Sequence, residues 1–199
     1  MPSFRTAEVV EVLSERRGLQ RVRVCMPDGA EARAYSLTQL TGTCAVGDRV
    51  VLNTTAVELG LGTGGWHVVH WNLARDELVS PGPDHVMKLR YSSLQLDAGT
   101  DELAHPEVDE PLPGTPVVAC SVHSQVAMVS LAFAAAAPGR RLVYVMTDGA
   151  ALPLALSDLV AQLCERGTLA GTVTAGHAFG GDLEAVSVHS ALGLAVHAL

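Results

Sequence analysis

Three clusters of polar side chains interrupt an otherwise apolar C-terminal half: Cys120-Ser121-Val122-His123-Ser124-Gln125, Thr147-Asp148-Gly149, and Gly176-His177-Ala178-Phe179-Gly180-Gly181-Asp182. Their residue types suit several chemistries. His123, Asp148, His177 and Asp182 offer two imidazoles and two carboxylates, a donor set that Zn²⁺, Mn²⁺ or Fe²⁺ accepts, so a divalent metal is the candidate cofactor. Without a metal, His177 would act as base, Asp148 as its orienter and His123 as a second base, because imidazole is the common proton carrier of enzymes. Ser121 or Ser124, with one of these histidines and Asp148 or Asp182, supplies the parts of a serine triad, although no nucleophile-elbow spacing occurs. Gly180 and Gly181, read as preceding a helix, would offer backbone N–H groups to an anion. Asp182 at the N-cap position would compete for those donors and repel a phosphate. Ser121, Ser124, Thr147 and Gly149 complete the expected ligand-binding set. Neither G-x-G-x-x-G nor P-loop spacing is present, so no dinucleotide or nucleoside triphosphate is implied. Cys120, at the end of an apolar strand, reads as an inert buried thiol.

What must position these groups is a repeating strand–helix pattern. Pro116–Cys120, Arg141–Met146 and Thr172–Ala175 are short, nearly all-apolar runs of the kind covered on both faces. Ser124–Ala137, Ser157–Arg166 and Leu183–Leu199 read as helices, with Ser157-Asp158 as a cap and Gly167 as a stop. The β-α-β-α-β-α alternation predicts a three-stranded parallel sheet. Each strand runs into one polar cluster at its C-terminal end, and in a parallel sheet those ends share the edge where open α/β folds bind ligands. His189, on the expected helix face of Asp182 but about 10 Å along its axis, reads with His197 as a core or interface residue.

Residues 1–75 follow a different rule. Val22, Val24 and Met26 alternate with Arg21, Arg23 and Cys25, and Arg17-Gly18, Pro27-Asp28-Gly29, Gly47-Asp48 and the glycine-rich loop 60–65 punctuate the segment. Five or six short strands at this spacing predict a small all-β, barrel-like domain. Arg17, Arg21 and Arg23 share the outward parity of one hairpin and could line a phosphate track. The near balance of bases and acids, and the lack of an aromatic interleaved along that stripe, argue for a solvated face instead. His67 and His70 fall on opposite faces of one strand and read as structural. Residues 76–115, with Asp97, Asp101, Glu102, Glu107, Asp109, Glu110, Pro111, Pro113 and Pro116 in or beside them, read as a connecting segment holding one short strand.

Composition bounds the class. The 199 residues carry a net charge of −8 and are 48% apolar, which excludes collagen-like, disordered and disulfide-stapled scaffolds. Isoleucine is absent and Lys88 is the one lysine, a bias of the sort that GC-rich coding produces. The longest apolar run, 126–137, falls short of the roughly 20 residues that cross a bilayer, and residues 1–5 open no apolar signal segment. Cys25, Cys44, Cys120 and Cys164 lack C-x-x-C spacing, so free thiols and a cytoplasmic location are expected. Beyond residue 110 the chain holds only three basic and five acidic residues, far below a soluble domain's usual share. That shortage predicts a homo-oligomer or an α/β half completed by a further C-terminal segment.

His85-Val86-Met87-Lys88-Leu89-Arg90-Tyr91, Tyr144-Val145-Met146-Thr147-Asp148-Gly149 and the stretch from Gly176 to Leu192 resemble an uncharacterised bacterial family, domain of unknown function 3866. The resemblance runs through most of the chain and is strongest over 83–91 and from Val117 onward. Ala150 stands where that pattern commonly has a second Gly, and Ser187 where it has Asn. Similar proteins extend beyond Leu199. The resemblance implies no activity or catalytic residue. Sequence alone therefore points to an α/β half that binds a small polar or anionic ligand at its strand ends, with hydrolysis or group transfer as the chemistry. The alternatives are a non-catalytic scaffold or regulatory subunit, and an RNA-binding barrel; no membrane partner is implied.

Overall fold

A computed structural model describes residues 1–112, 114–150 and 153–199. Pro113, one of the prolines of the expected connecting segment, lies outside them. The chain divides into two compact units, Met1–Ser80 and Pro81–Leu199.

Unit 1 is a closed five-stranded barrel built from β1 (Phe4–Arg16), β2 (Leu19–Cys25), β3 (Glu31–Leu37), β4 (Arg49–Asn53) and β5 (Trp66–Asn72), in the order β1-β2-β3-β5-β4. One-turn helices α1 (Thr38–Thr41) and α2 (Thr55–Glu58) lie between strands. β4 returns to pair with β1, the Greek-key arrangement, and β5 closes the barrel by running parallel to β3 and antiparallel to β4. β1 reaches both neighbours because register shifts at Val9/Glu11 and Val12/Ser14 bend it. Alternation then sends Val9, Val22, Val24, Ala34, Val50 and Leu52 inward, each with no exposed surface. His67 faces this interior, and His70, three residues on, packs its ring 4.9 Å from Phe4.

Unit 2 holds a three-stranded parallel sheet, β8 (Val143–Met146), β9 (Gly171–Ala175) and β10 (Leu183–Ala185), in the order β10-β9-β8. Before it come the two-residue strands β6 (Met87–Lys88) and β7 (Leu96–Asp97), two 3₁₀ turns (Asp101–Leu103 and Pro106–Asp109) and helix α3 (Gln125–Ala136). Helix α4 (Asp158–Glu165) links β8 to β9, and α5 (Val188–His197) ends the unit. The predicted parallel α/β architecture is present, but its third strand is not the one expected. Pro116–Cys120 forms no strand and is exposed, whereas Leu183–Ala185, read as the start of a helix, is β10. Cys120 is accordingly exposed rather than buried. The helix that follows starts only at Ser187, whose hydroxyl accepts the Ser190 N–H in a capping box.

Much of the acidic segment read as a connector is structural. Asp101 Oδ2 accepts the Glu184 N–H at 2.6 Å and Glu102 Oε1 accepts the Val186 N–H at 2.8 Å, so two carboxylates cover the outer edge of β10 as a neighbouring strand would. Val108 packs with Ala191 and Leu194 of α5, and Gly193 lets the Val108 carbonyl approach so closely that a Cβ would overlap it.

Candidate functional site

In unit 2 the chain leaves β8 through Thr147-Asp148-Gly149 and leaves β9 through Gly176-His177, so these two clusters do meet at one sheet edge. The Asp148 carboxylate accepts the His177 backbone N–H, tying the two exits together. Gly176 makes the approach feasible: its φ is +63° and a Cβ there would overlap that carboxylate. Asp148, Gly149 and His177 are exposed, with Thr147 half-buried between them.

The remaining candidates are engaged elsewhere. His123 lies within hydrogen-bond distance of two hydroxyls, Tyr144 Oη at 3.0 Å from Nδ1 and Ser157 Oγ at 2.7 Å from Nε2. Ser157 also accepts the Val160 N–H as the cap of α4, so one consistent set of bonds runs from Val160 through Ser157 and His123 to Tyr144. Burial lowers the His123 pKa and favours its neutral ring. Ser121 shares Gln125 Oε1 between its N–H and hydroxyl, a local link at the start of α3, and Ser124 makes no side-chain cap bond. Neither serine meets His123 or His177, so the triad does not assemble.

Gly180 and Gly181 do not precede a helix, and their N–H groups are spent internally. Gly180 donates to Glu184 Oε1 at 2.6 Å and Gly181 to Thr174 Oγ1 at 3.1 Å. A Cβ on Gly181 would press on the Leu183 carbonyl, which gives close packing as the reason for glycine there. Asp182 is not an N-cap. It sits just before β10, where its Oδ2 accepts both the N–H and hydroxyl of Thr172 at 2.9 and 2.8 Å, at the far end of the sheet from Asp148. His123, Asp148, His177 and Asp182 are thus not one ligand set. Among the described residues no three His, Cys, Asp or Glu side chains gather as a metal site. The donor set does not fit the expected metal.

Beneath this rim lies a residue that sequence reasoning missed. Lys88 is 1% exposed, and its ammonium donates to the carbonyl oxygens of Gly176 at 2.5 Å, Ala178 at 3.0 Å and Ala185 at 3.5 Å. Glu184 Oε2 stands 3.6 Å away and also accepts the Thr174 hydroxyl at 2.8 Å. Burial lowers the Lys88 pKa and raises that of Glu184, each opposed by the other's charge. The one local signal for this cation was that it is the chain's sole lysine; its partners stand some ninety residues away. A separate open cavity of about 280 Å³ is lined by Pro83, Asp84, Ala98, Thr100, Asp101 and neighbouring residues, none of them among the candidate site residues read from sequence.

A Greek-key barrel followed by a small parallel α/β unit, with Asp148 and His177 at its strand ends, defines a two-unit protein with a polar rim and no metal-ligand cluster among its described residues. Among the described residues, no helix is long and apolar enough to cross a membrane. The chain belongs to the family described as Protein of unknown function (DUF3866), whose model matches residues 33–199, from within β3 to the last residue. No curated protein and no solved structure matches it.

Proposed function

We propose that unit 2 binds a small polar ligand at the rim formed by the exits of β8 and β9, with His177 as base and Asp148 as orienter of a hydrolytic or group-transfer step. The observation that carries this reading is the bond from the His177 backbone N–H to the Asp148 carboxylate, which brings two exposed residues, a histidine and an aspartate, to the edge where parallel sheets take ligands. The nature of the rim narrows the ligand. Because the Gly180 and Gly181 N–H groups are already bonded and the local charge is Asp148, the favoured ligand carries amine or hydroxyl donors rather than phosphate. We place the protein in the cytoplasm, a location supported by four free cysteines.

Thermal-shift screening of the full chain against paired metabolites, amine- or hydroxyl-bearing and phosphorylated, tests this reading. A donor-bearing compound should raise the melting temperature of the parent chain and not of His177→Ala. A shift that persists in His177→Ala would remove the rim as the site.

The second reading is a non-catalytic scaffold that self-associates. It is favoured by exposed apolar side chains on either side of the 120–125 polar cluster, where Val117, Val118 and Met128 are 63%, 61% and 71% exposed.

A further inference from the structure

The outward face of the barrel carries residues that neither the rim nor the core uses. Val22, Val24, Ala34, Ser36, His67 and Val69 are buried in β2, β3 and β5. Alternation therefore turns Arg21 and Arg23, Arg33 and Tyr35, and Trp66 and Val68 outward. Register sets them in two rows. Arg23 lies opposite Arg33, which lies opposite Trp66; in the next row Arg21, Tyr35 and Val68 face one another. The rows join through Trp66, whose ring centroid is 4.8 Å from the Arg33 guanidinium carbon and 5.3 Å from that of Arg21.

Two details separate this patch from an ordinary solvated face. Arg23 and Arg33 stand directly across a strand pair, a like-charge juxtaposition that weakens a sheet. Glu11 and Glu31 neutralise Arg23, at 2.9 and 3.3 Å. Arg33 has no such partner: its Nη2 donates to the Gly64 carbonyl at 2.9 Å, and among the described residues it meets no carboxylate. The result is a positive charge held in place beside an indole. The aromatics that the Arg17-Arg21-Arg23 stripe lacks along its own strand arrive from β3 and β5, as Tyr35 and Trp66. The exposed acids of β1, Glu8, Glu11 and Glu15, confine the basic and aromatic surface to the β2-β3-β5 side.

We propose that this face binds single-stranded nucleic acid. Guanidinium planes and indole stack on unpaired bases, and guanidinium N–H groups pair with the phosphates between them. A duplex offers phosphates and groove edges but hides the faces of its bases, so single strands are the class that matches the aromatic and cationic parts together. The 2′-hydroxyl distinguishes RNA from DNA, and the surface is common to both.

Fluorescence anisotropy of the full chain with labelled strands of about 12 nucleotides, oligo(U) and oligo(dT), and with a duplex of equal length, tests the proposal. Both single strands should bind at low salt, more tightly than the duplex, and affinity should fall linearly on a log–log salt plot. Repeating the DNA arm with oligo(dU), which differs from oligo(U) in the 2′-hydroxyl alone, reports whether that hydroxyl is touched. Trp66→Leu should weaken binding about tenfold, as should the exposed substitution Arg33→Glu, which leaves the core untouched. The charge-matched control Arg49→Glu, at an exposed position of β4, should leave binding within about twofold of the parent. No binding at low salt, equal affinity for duplex, or equal loss in Arg49→Glu and Arg33→Glu would each overturn the assignment.

Discussion

Lys88 Nζ stands 3.6 Å from Glu184 Oε2 inside a return that brings the chain from the end of β9 back to the start of a parallel neighbour through residues 176–182 alone. Parallel neighbours usually need a crossover of a dozen or more residues, commonly with a helix. Here the loop is held by other means. Its Gly176 and Ala178 carbonyls point at Lys88, the Gly180 N–H binds Glu184, and Asp182 is bonded to Thr172. The ion pair is the centre of the return.

Removing either partner leaves a buried charge without its counterpart. Lys88→Met and Glu184→Leu should therefore each cost about 3–5 kcal/mol in urea unfolding of unit 2, while the double variant should lose much less than their sum. Additive losses would show that the two residues are not coupled.

His123 gives a pH prediction. Burial holds its folded pKa below the ordinary 6.5, so between those two values the unfolded chain binds more protons than the folded one. Its contribution to stability is thus full above about 6.5 and is lost as pH falls through that value toward the folded pKa. His67 shifts in the same direction by burial, so the parent chain carries both effects. The melting temperature of His123→Gln should fall less than the parent's between pH 7.5 and 5.5. Equal slopes would remove His123 from the balance.

Where residues fall on a repeating local pattern, the fold was legible. Strict alternation placed Val22 and Val24 inside the barrel, and Ser157 marked the start of α4 because its hydroxyl does cap that helix. β10 was hidden because Leu183, Glu184 and Ala185 are good helix formers; the Asp101 carboxylate and pairing with β9 outweigh that propensity. Pro116–Cys120 looked like a strand for the opposite reason, since apolar composition alone cannot say that a partner exists. Of the candidate site, the Asp148–His177 meeting followed from parallel topology. The private bonds of His123 and Asp182 did not, because Tyr144, Ser157 and Thr172 carry no local mark of those roles.

Gly176 should tolerate no side chain. Gly176→Ala must hold φ near +63°, which costs an L-residue roughly 1–2 kcal/mol, and it also overlaps the Asp148 carboxylate. Asp148→Ala removes the overlap but leaves the backbone strain. The double variant should consequently lose less stability than the sum of the two single ones in thermal melts. If Gly176→Ala melts like the parent, the close approach of the two exits is wrong.

Helix α3 decides between a ligand-binding monomer and a self-associating scaffold. Among its 12 residues only Val126 and Ser130 are buried, although it contains no charged side chain. Met128 and Leu131, 71% and 51% exposed, lie three residues apart on one face, and the nearby Val122 is 53% exposed. A second copy of this chain is the occupant the scaffold reading assigns, because an apolar surface this poor in charge matches another like itself. Sedimentation equilibrium should then give a mass that rises with concentration, and Met128→Glu with Leu131→Glu should return it to one chain. Since both side chains are exposed within the protomer, the substitutions should move its unfolding free energy by no more than about 0.5 kcal/mol. A parent chain of constant single-chain mass up to high concentration would exclude the scaffold reading, and the exposed face of α3 would then have no role in self-association.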